Sequence, residues 1–280
     1  MSIIKLINTQ KTVFCFYEIN KGVKKTYLNM RINRGRINKV IYEFLQPQIP
    51  SQGIIIICEG LPSVPNKKEL MLRLSHRGFT VIYPRYKGTW ESDGEFLKES
   101  PTRDVEDVLQ LIKKGELVEL FANKKFKIPN QPVHLLGSSF GASVALSFAG
   151  NKDISKIIAL SAIVDFKKHN NENDEEDLIL VGEFIKRAFG EGYRFKDNQW
   201  IKMVRGNIFN PPQKIDQKKA NNILMVYDKS DSQVSCKKIE EYISNNKIKN
   251  VLVETDKGHL TFSKLPKETW DKIIKWLSIK

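Results

Sequence analysis

The sequence predicts an α/β fold in which a mainly parallel sheet has helices on both faces, and three observations support this. Residues 53–60, GIIIICEG, form an uninterrupted apolar run, which is typical of a strand buried on both faces. After this run, short β-branched segments alternate with segments of helical spacing, as in a parallel sheet. Before it, segments of alternating pattern are separated by Asn, Gly and Lys, which predicts antiparallel strands at the N-terminal side.

Two or three antiparallel strands are expected in the first fifty residues. The segments with β-branched and aromatic alternation are TVFCFYEI (12–19), TYLNMRI (26–32) and NKVIYEFL (38–45). Such strands cover a sheet edge or pair with a second subunit, and the sequence leaves the oligomeric state open.

The next part of the chain is predicted to alternate between strands and helices. The further strand segments are FTVIYP (79–84), PVHLLG (132–137), SKIIALSAIV (155–164), NNILMVYD (221–228) and NVLVET (250–255). The helical segments are NKKELMLRLSHRG (66–78), SPTRDVEDVLQLIKK (100–114), ASVALSFAG (142–150), CKKIEEYISNN (236–246) and KETWDKIIKWL (267–277). The first of these helical segments ends with a Gly and the second begins with Ser-Pro, and both are typical helix boundaries.

Residues 166–218 interrupt this alternation. They begin with the polar run KKHNNENDEED, continue into an amphipathic helix at 178–190, and end with the segment WIKMVRGNIFNPPQKI. The acidic start and basic end of the helical segment suit a helix dipole. We therefore expect one core domain, formed by residues 1–165 and 219–280, with residues 166–218 inserted as a small helical cap.

Composition excludes several classes of function. A chain of 280 residues with 41% hydrophobic residues is long enough to bury a large core. The net charge of +14 is spread along the chain, without an arginine-rich block, so nucleic-acid binding is not expected. Three scattered cysteines predict neither a disulfide framework nor a zinc site. With no signal peptide and no membrane span in the sequence, the expected location is the cytoplasm.

The most informative motif is Gly137-Ser138-Ser139-Phe140-Gly141, between a predicted strand and a helix of small residues. Glycines on both sides of Ser139 allow a turn too tight for side chains, and such a turn holds the serine in a strained backbone with its hydroxyl exposed. This arrangement is a nucleophile elbow. On this motif and its context, the sequence resembles the α/β-hydrolase superfamily, in the branch of serine esterases and prolyl-oligopeptidase-like enzymes. The resemblance implies an eight-stranded type of sheet and a catalytic triad.

The resemblance also implies an order of nucleophile, acid and histidine along the chain. Asp231 follows the strand NNILMVYD, with Val234 three residues later, and is similar to the acid loop of the family. Asp228 is a rival because it ends that strand, where it would serve equally well as a turn cap. Asp165 is a second rival, since some relatives place the acid after the preceding strand. Asp231 is the preferred acid.

His259 is the expected base. Among the four histidines of the chain it alone lies after the acid, and it follows Gly258 at the end of the last predicted strand. A serine hydroxyl is a poor nucleophile, so an imidazole has to accept its proton while a carboxylate orients the imidazole and stabilises its cation. Ser139, Asp231 and His259 are therefore the predicted catalytic residues.

The resemblance also implies an oxyanion hole. Phe140 follows the nucleophile at a helix N-terminus, so its N–H is one expected donor. The second is assigned to Leu61, in the loop CEGLPSVPN, where Glu59 stands in place of the histidine common in relatives. A further segment, YPRYKGTWESDG (83–94), is similar to a family loop beside the nucleophile.

Four aromatic residues are candidates for the substrate pocket. The loop at 83–94 contributes Trp90, and the cap contributes Phe184, Phe189 and Trp200. We expect a serine hydrolase that cleaves a small carboxylic ester or related acyl compound through an acyl-enzyme, without cofactor or metal. The same triad also serves prolyl-oligopeptidase-type peptidases and acyl thioesterases, and a catalytically silent binding protein of the same fold is the alternative from another class.

Overall fold

A computed structural model describes residues 30–169 and 176–278 of the chain. The strands in these ranges are β1 (Asn33–Ile37), β2 (Val40–Leu45), β3 (Gly53–Cys58), β4 (Phe79–Pro84), β5 (Glu116–Val118), β6 (Lys125–Lys127), β7 (Val133–Ser138), β8 (Lys156–Leu160), β9 (Ile223–Asp228) and β10 (Asn250–Glu254). The helices are α1 (Lys68–His76), α2 (Thr102–Lys114), α3 (Phe140–Leu146), α4 (Leu178–Phe189), α5 (Asp197–Val204), α6 (Gln217–Ala220), α7 (Cys236–Asn245) and α8 (Lys267–Ser278). None of these helices is both long and apolar enough to span a membrane.

Eight strands form one sheet in the order β1-β2-β4-β3-β7-β8-β9-β10. The pairs β1–β2 and β2–β4 are antiparallel, and all the other pairs in this sheet are parallel. The predicted fold class, with antiparallel strands at the N-terminal side of a mainly parallel sheet, is confirmed. Strands β5 and β6 form a separate hairpin.

The antiparallel edge differs in detail from the prediction. Segment 12–19 and most of segment 26–32 lie outside the described residues. Strand β1, in contrast, was not predicted, because its residues NRGRI are polar and lack a clear alternation. It forms because Gly35 lies against the ring of Tyr42 on β2, where a Cβ atom would collide with the phenol. The close approach of these two strands thus depends on one glycine.

The central strands are buried along their whole length. Every residue of β3, β4, β7 and β9 is buried, as expected for parallel strands covered on both faces. Helix α2 contributes Val105, Val108 and Leu109 to the core, at the spacing of one helix face. The parallel strands point the same way, so the loops after β7, β8, β9 and β10 meet at one edge of the sheet.

The segment between β8 and β9 contains a short 3₁₀ turn at Phe166–Lys168 and then α4, α5 and α6. Helix α4 matches the predicted amphipathic helix, and Asp177 caps it by accepting a hydrogen bond from the Ile179 N–H at 2.8 Å. Helix α5 was not predicted as a separate helix. The limits of the cap, 166 and 218, stay a prediction.

A buried histidine in this sheet leads to a stability prediction. His134 on β7 is 3% exposed, and its Nδ1 has no hydrogen-bond partner within the described residues. Burial, with a smaller contribution from the charge of Lys156, lowers the pKa of His134 to about 4. The folded protein therefore keeps a neutral imidazole at a pH where an unfolded chain takes up a proton.

We expect the His134→Phe variant to remove this pH dependence. Above about pH 6.5 neither state binds a proton at His134, whereas between about 6.5 and 4 only the unfolded state does, so falling pH destabilises the wild type. Relative to the variant, the wild type should lose about 3 kcal/mol of unfolding free energy over this window. Urea denaturation of both proteins at several pH values measures the difference, and a constant difference would contradict the prediction.

Candidate active site

The turn that holds Ser139 has the geometry of a nucleophile elbow. Strand β7 ends at Ser138 and helix α3 begins at Phe140, so Ser139 is the only residue between them. Its backbone has φ 53° and ψ −126°, a conformation that residues with a side chain rarely adopt. A Cβ at Gly137 would collide with the Gly141 carbonyl, and one at Gly141 would collide with the Cys58 carbonyl. Both glycines are therefore required by close packing.

The imidazole of His259 contacts the carboxylate of Asp231. Nδ1 of His259 lies 3.1 Å from Oδ1 and 3.0 Å from Oδ2 of Asp231. The other ring nitrogen, Nε2, makes no hydrogen bond within residues 30–169 and 176–278. The carboxylate thus orients the ring by one nitrogen and leaves the second available to act as a base.

Asp231 is held in its ionised form. Its side chain is 1% exposed, and Oδ1 accepts hydrogen bonds from the N–H groups of Gln233 at 2.9 Å and Val234 at 3.1 Å. Burial acts to raise its pKa, but the hydrogen bond and charge of His259, the Gln233 N–H and the Ser161 hydroxyl together hold the pKa below its usual value. Because of these contacts, the Asp231 carboxylate beside the His259 imidazole is charged.

The two rival aspartates have other partners. Asp228 is fully buried, and its carboxylate accepts hydrogen bonds from the N–H and hydroxyl of Ser230 and from the Lys257 N–H. Asp165 accepts from the Lys167 N–H and the Asn210 amide. Asp228 therefore ties the loop after β9 to the loop before His259, whereas Asp165 begins the 3₁₀ turn. Neither carboxylate contacts the imidazole.

The two N–H groups predicted for the oxyanion hole are both available. In the described part of the chain, neither the Leu61 N–H nor the Phe140 N–H donates a hydrogen bond to protein. Leu61, Ser139 and Phe140 line one small pocket. Phe140 opens helix α3, so its N–H is one of the donors that a helix leaves unpaired at its N-terminus. The pocket thus places unpaired donors beside the serine.

The loop before Leu61 is anchored by Glu59, the residue at which the sequence departs from its relatives. Oε1 of Glu59 accepts hydrogen bonds from the Gly60 N–H at 3.1 Å and lies 2.9 Å from the Lys67 ammonium. Oε2 accepts from the Tyr83 hydroxyl at 2.5 Å, and the Glu59 carbonyl accepts from the Tyr86 hydroxyl. The buried Glu59 carboxylate thus has three donors around it, and the Glu59 carbonyl has a fourth. These contacts anchor the loop where relatives have a histidine. The sequence offered no signal for this network.

The rest of the pocket is mainly apolar. Its apolar side chains come from the edge of the sheet and from the cap helices, and they are Ile163, Phe166, Leu178, Val181, Trp200 and Met203. Among the described residues of this lining, Glu176 has the only carboxylate, and its pKa is raised by burial and by the nearby charge of Asp231, against a lowering effect of His259.

Of the four aromatic residues predicted for the pocket, the structure places Trp200 in its lining but not the other three. Phe184 is 55% exposed on helix α4. Trp90 and Phe189 pack together, with ring centroids 6.2 Å apart, and the Trp90 indole N–H donates to the Ser63 carbonyl at 3.1 Å. Trp90 and Phe189 therefore pack on each other and beside the loop after β3, outside the pocket lining.

Tyr193 gives that loop a second attachment, which sequence analysis missed. Its hydroxyl donates to the Ser63 carbonyl and accepts from the Ser63 N–H, both at 2.9 Å. The two residues are 130 positions apart in the chain, so no local pattern connects them. The cap is therefore bonded directly to the loop that contains Leu61.

With this strand order and this turn at Ser139, the chain has the α/β-hydrolase fold, as its sequence predicted. No protein-family model matches the sequence, and no curated protein matches it. Solved structures do match. An esterase of Pyrococcus furiosus, Pf2001, is 14% identical, with a TM-score of 0.62 over 93% of this chain and 95% of its own.

Two further solved structures are similar to this chain. The α/β hydrolase GrgF from Penicillium sp. sh18 is 15% identical, with a TM-score of 0.65 over 89% of this chain and 98% of its own. A soluble variant of monoglyceride lipase from Saccharomyces cerevisiae, solved with a substrate analog, is 12% identical, with a TM-score of 0.56 over 93% and 99%. At these identities the likeness establishes the fold, and the activity has to be argued from the site.

Proposed function

We propose that this chain is a serine hydrolase that cleaves carboxylic esters or related acyl bonds. The observation that supports it most is the contact of His259 with Asp231 through Nδ1, at the same sheet edge as the strained Ser139. A backbone strained at one serine persists only where the surrounding structure enforces it, and such strain concentrates at functional sites. The similar solved structures include esterases and lipases.

In the proposed reaction, the Ser139 hydroxyl oxygen attacks the ester carbonyl carbon while its proton passes to Nε2 of His259. The negative charge that develops on the carbonyl oxygen is stabilised by the N–H groups of Leu61 and Phe140. His259 then gives the proton to the alcohol oxygen, the carbon–oxygen bond breaks, and the acyl group stays on Ser139. Asp231 remains ionised throughout and stabilises the imidazolium.

Water completes the cycle. His259 removes a proton from a water molecule, the hydroxide oxygen attacks the acyl-serine carbonyl, and the same N–H groups stabilise the second tetrahedral intermediate. Its collapse releases the carboxylic acid and returns the proton to Ser139. The apolar lining supplied by Leu178, Val181 and Met203 favours an apolar acyl group.

A substrate panel tests the proposal. Purified protein should hydrolyse aryl esters with short apolar acyl groups with a higher kcat/KM than aminoacyl amides, because the pocket lining is mainly apolar. Acyl thioesters of matched chain length belong in the same panel, since the same residues would cleave them. Preference for the thioester would make the protein a thioesterase, and preference for the amide a peptidase. A folded protein that cleaves none of the three would contradict the proposal.

A further inference from the structure

Ser161, outside the predicted triad, occupies an unusual position at the sheet edge. It directly follows β8, is fully buried, and has φ 44°, in the left-handed region that favours glycine. A glycine would adopt this backbone without strain. A buried serine kept in such a conformation points to a use for its hydroxyl.

The junction of Leu160 and Ser161 contacts the nucleophile loop and the histidine loop. The Leu160 carbonyl accepts a hydrogen bond from the Ser139 N–H at 2.8 Å. The Ser161 hydroxyl oxygen accepts one from the N–H of Leu260, the residue after His259, at 3.1 Å. Leu260 is fully buried, so this N–H has no water to replace the serine.

The same serine is also bonded to β9, the strand that leads to the acid. Its hydroxyl is one of the groups that lower the pKa of Asp231. Its own N–H donates to the Val226 carbonyl on β9 at 2.9 Å, which holds Ser161 against the strand that leads to Asp231. A hydroxyl has one proton to donate and two lone pairs to accept, so it suits a position between a carboxylate and an N–H group.

We propose that Ser161 is a positioning residue: its hydroxyl holds the His259 loop, and its N–H holds the strand that leads to Asp231, in register with Ser139. This inference rests on the proposed hydrolase function. Three loops that follow three different strands have no covalent connection at the site, and a small displacement of one would misalign proton transfer. Ser161 directly follows β8, the strand between those that lead to Ser139 and Asp231, so this one residue contacts both the His259 loop and β9.

Two variants separate the hydroxyl from the backbone strain. Ser161→Ala removes the hydroxyl and keeps the strain, whereas Ser161→Gly removes both, so the glycine variant should melt at the higher temperature. Both should lower kcat for an activated aryl ester by about ten-fold or more. KM should stay within about two-fold, because the pocket lining is unchanged.

Ser92→Ala provides a matched control. Ser92 is also fully buried, and its hydroxyl accepts from the Ile41 N–H on β2 and donates to the Arg85 carbonyl after β4, so it bonds to strands that β3 and β7 separate from β8. The Ser92→Ala variant should have a lower melting temperature than the wild type and an unchanged kcat.

The outcomes distinguish the two proposals. A Ser161→Gly protein with wild-type kcat, or a kcat loss in Ser92→Ala equal to that of the Ser161 variants, would overturn the positioning role while the hydrolase proposal stands. A wild type that neither turns over esters nor reacts with a fluorophosphonate would overturn the hydrolase proposal and this inference with it.

Discussion

The Ser139→Ala variant is expected to lose kcat/KM for an aryl ester by about 10⁵- to 10⁶-fold, the scale seen when a triad nucleophile is removed. Alanine lacks the oxygen that would form the acyl bond, and among the described residues of the pocket lining no other group is a comparable nucleophile. A fluorophosphonate probe should label the wild type once, at Ser139, and should not label the variant. Mass spectrometry of the labelled peptide measures the site.

Two further variants test whether the labelling is specific to Ser139. Ser138→Ala changes the adjacent serine, which is buried at the end of β7, and should keep the labelling. Ser139→Gly should be as inactive as Ser139→Ala and unfold at a higher temperature, because glycine adopts φ 53° without strain. Labelling that persists in both Ser139 variants would mean that another residue reacts with the probe.

Replacing Asp231 by asparagine should lower kcat/KM by about 10⁴-fold. Asparagine has nearly the same shape, but it has no charge to stabilise the imidazolium, and its amide can hold the imidazole in the wrong tautomer. The low pKa of Asp231 means that the wild-type carboxylate stays charged across the whole range in which esters are assayed. The measurement is kcat/KM at neutral pH.

Asp228→Asn is the matched control for this prediction. Its carboxylate accepts hydrogen bonds from Ser230 and Lys257, so the change should cost about 1–3 kcal/mol of unfolding free energy and alter kcat/KM by less than about ten-fold. Urea denaturation and kinetics on the same samples separate the two effects. The reverse ranking, with Asp228→Asn the less active protein, would transfer the role of the acid to Asp228.

Much of the fold was predictable because its signals are local. The mainly apolar runs of β3, β4 and β9 are typical of deeply buried strands, and the helices that follow them have clear spacing and ends. Strands β1, β5 and β6 and helices α5 and α6 were missed. Strand β1 depends on a contact between Gly35 and Tyr42, and α5 has only eight residues, too few for a strong period.

The candidate site was likewise predictable from the sequence only in part. The catalytic roles of Ser139, Asp231 and His259 stay predictions, but each was found from a strand, a turn and an order along the chain. The choice between Asp231 and Asp228 could not be made from order alone, because Asp228 ends β9 and Asp231 lies only three residues further along the chain. Their side-chain partners separate them, and those partners come from the loop after β10.

The sequence by itself determined the architecture and the position of the strained turn. The signals for both are local: the pattern of apolar residues, the positions of the glycines and the succession of strands along the chain can be recognised from neighbouring residues. Only the tertiary structure decided which carboxylate meets His259, that Glu59 anchors the loop of Leu61, and that Ser161 lies among three loops. Each of these depends on contacts between residues far apart in the chain. Such contacts are set by how the strands and helices pack, and no short stretch of sequence specifies them.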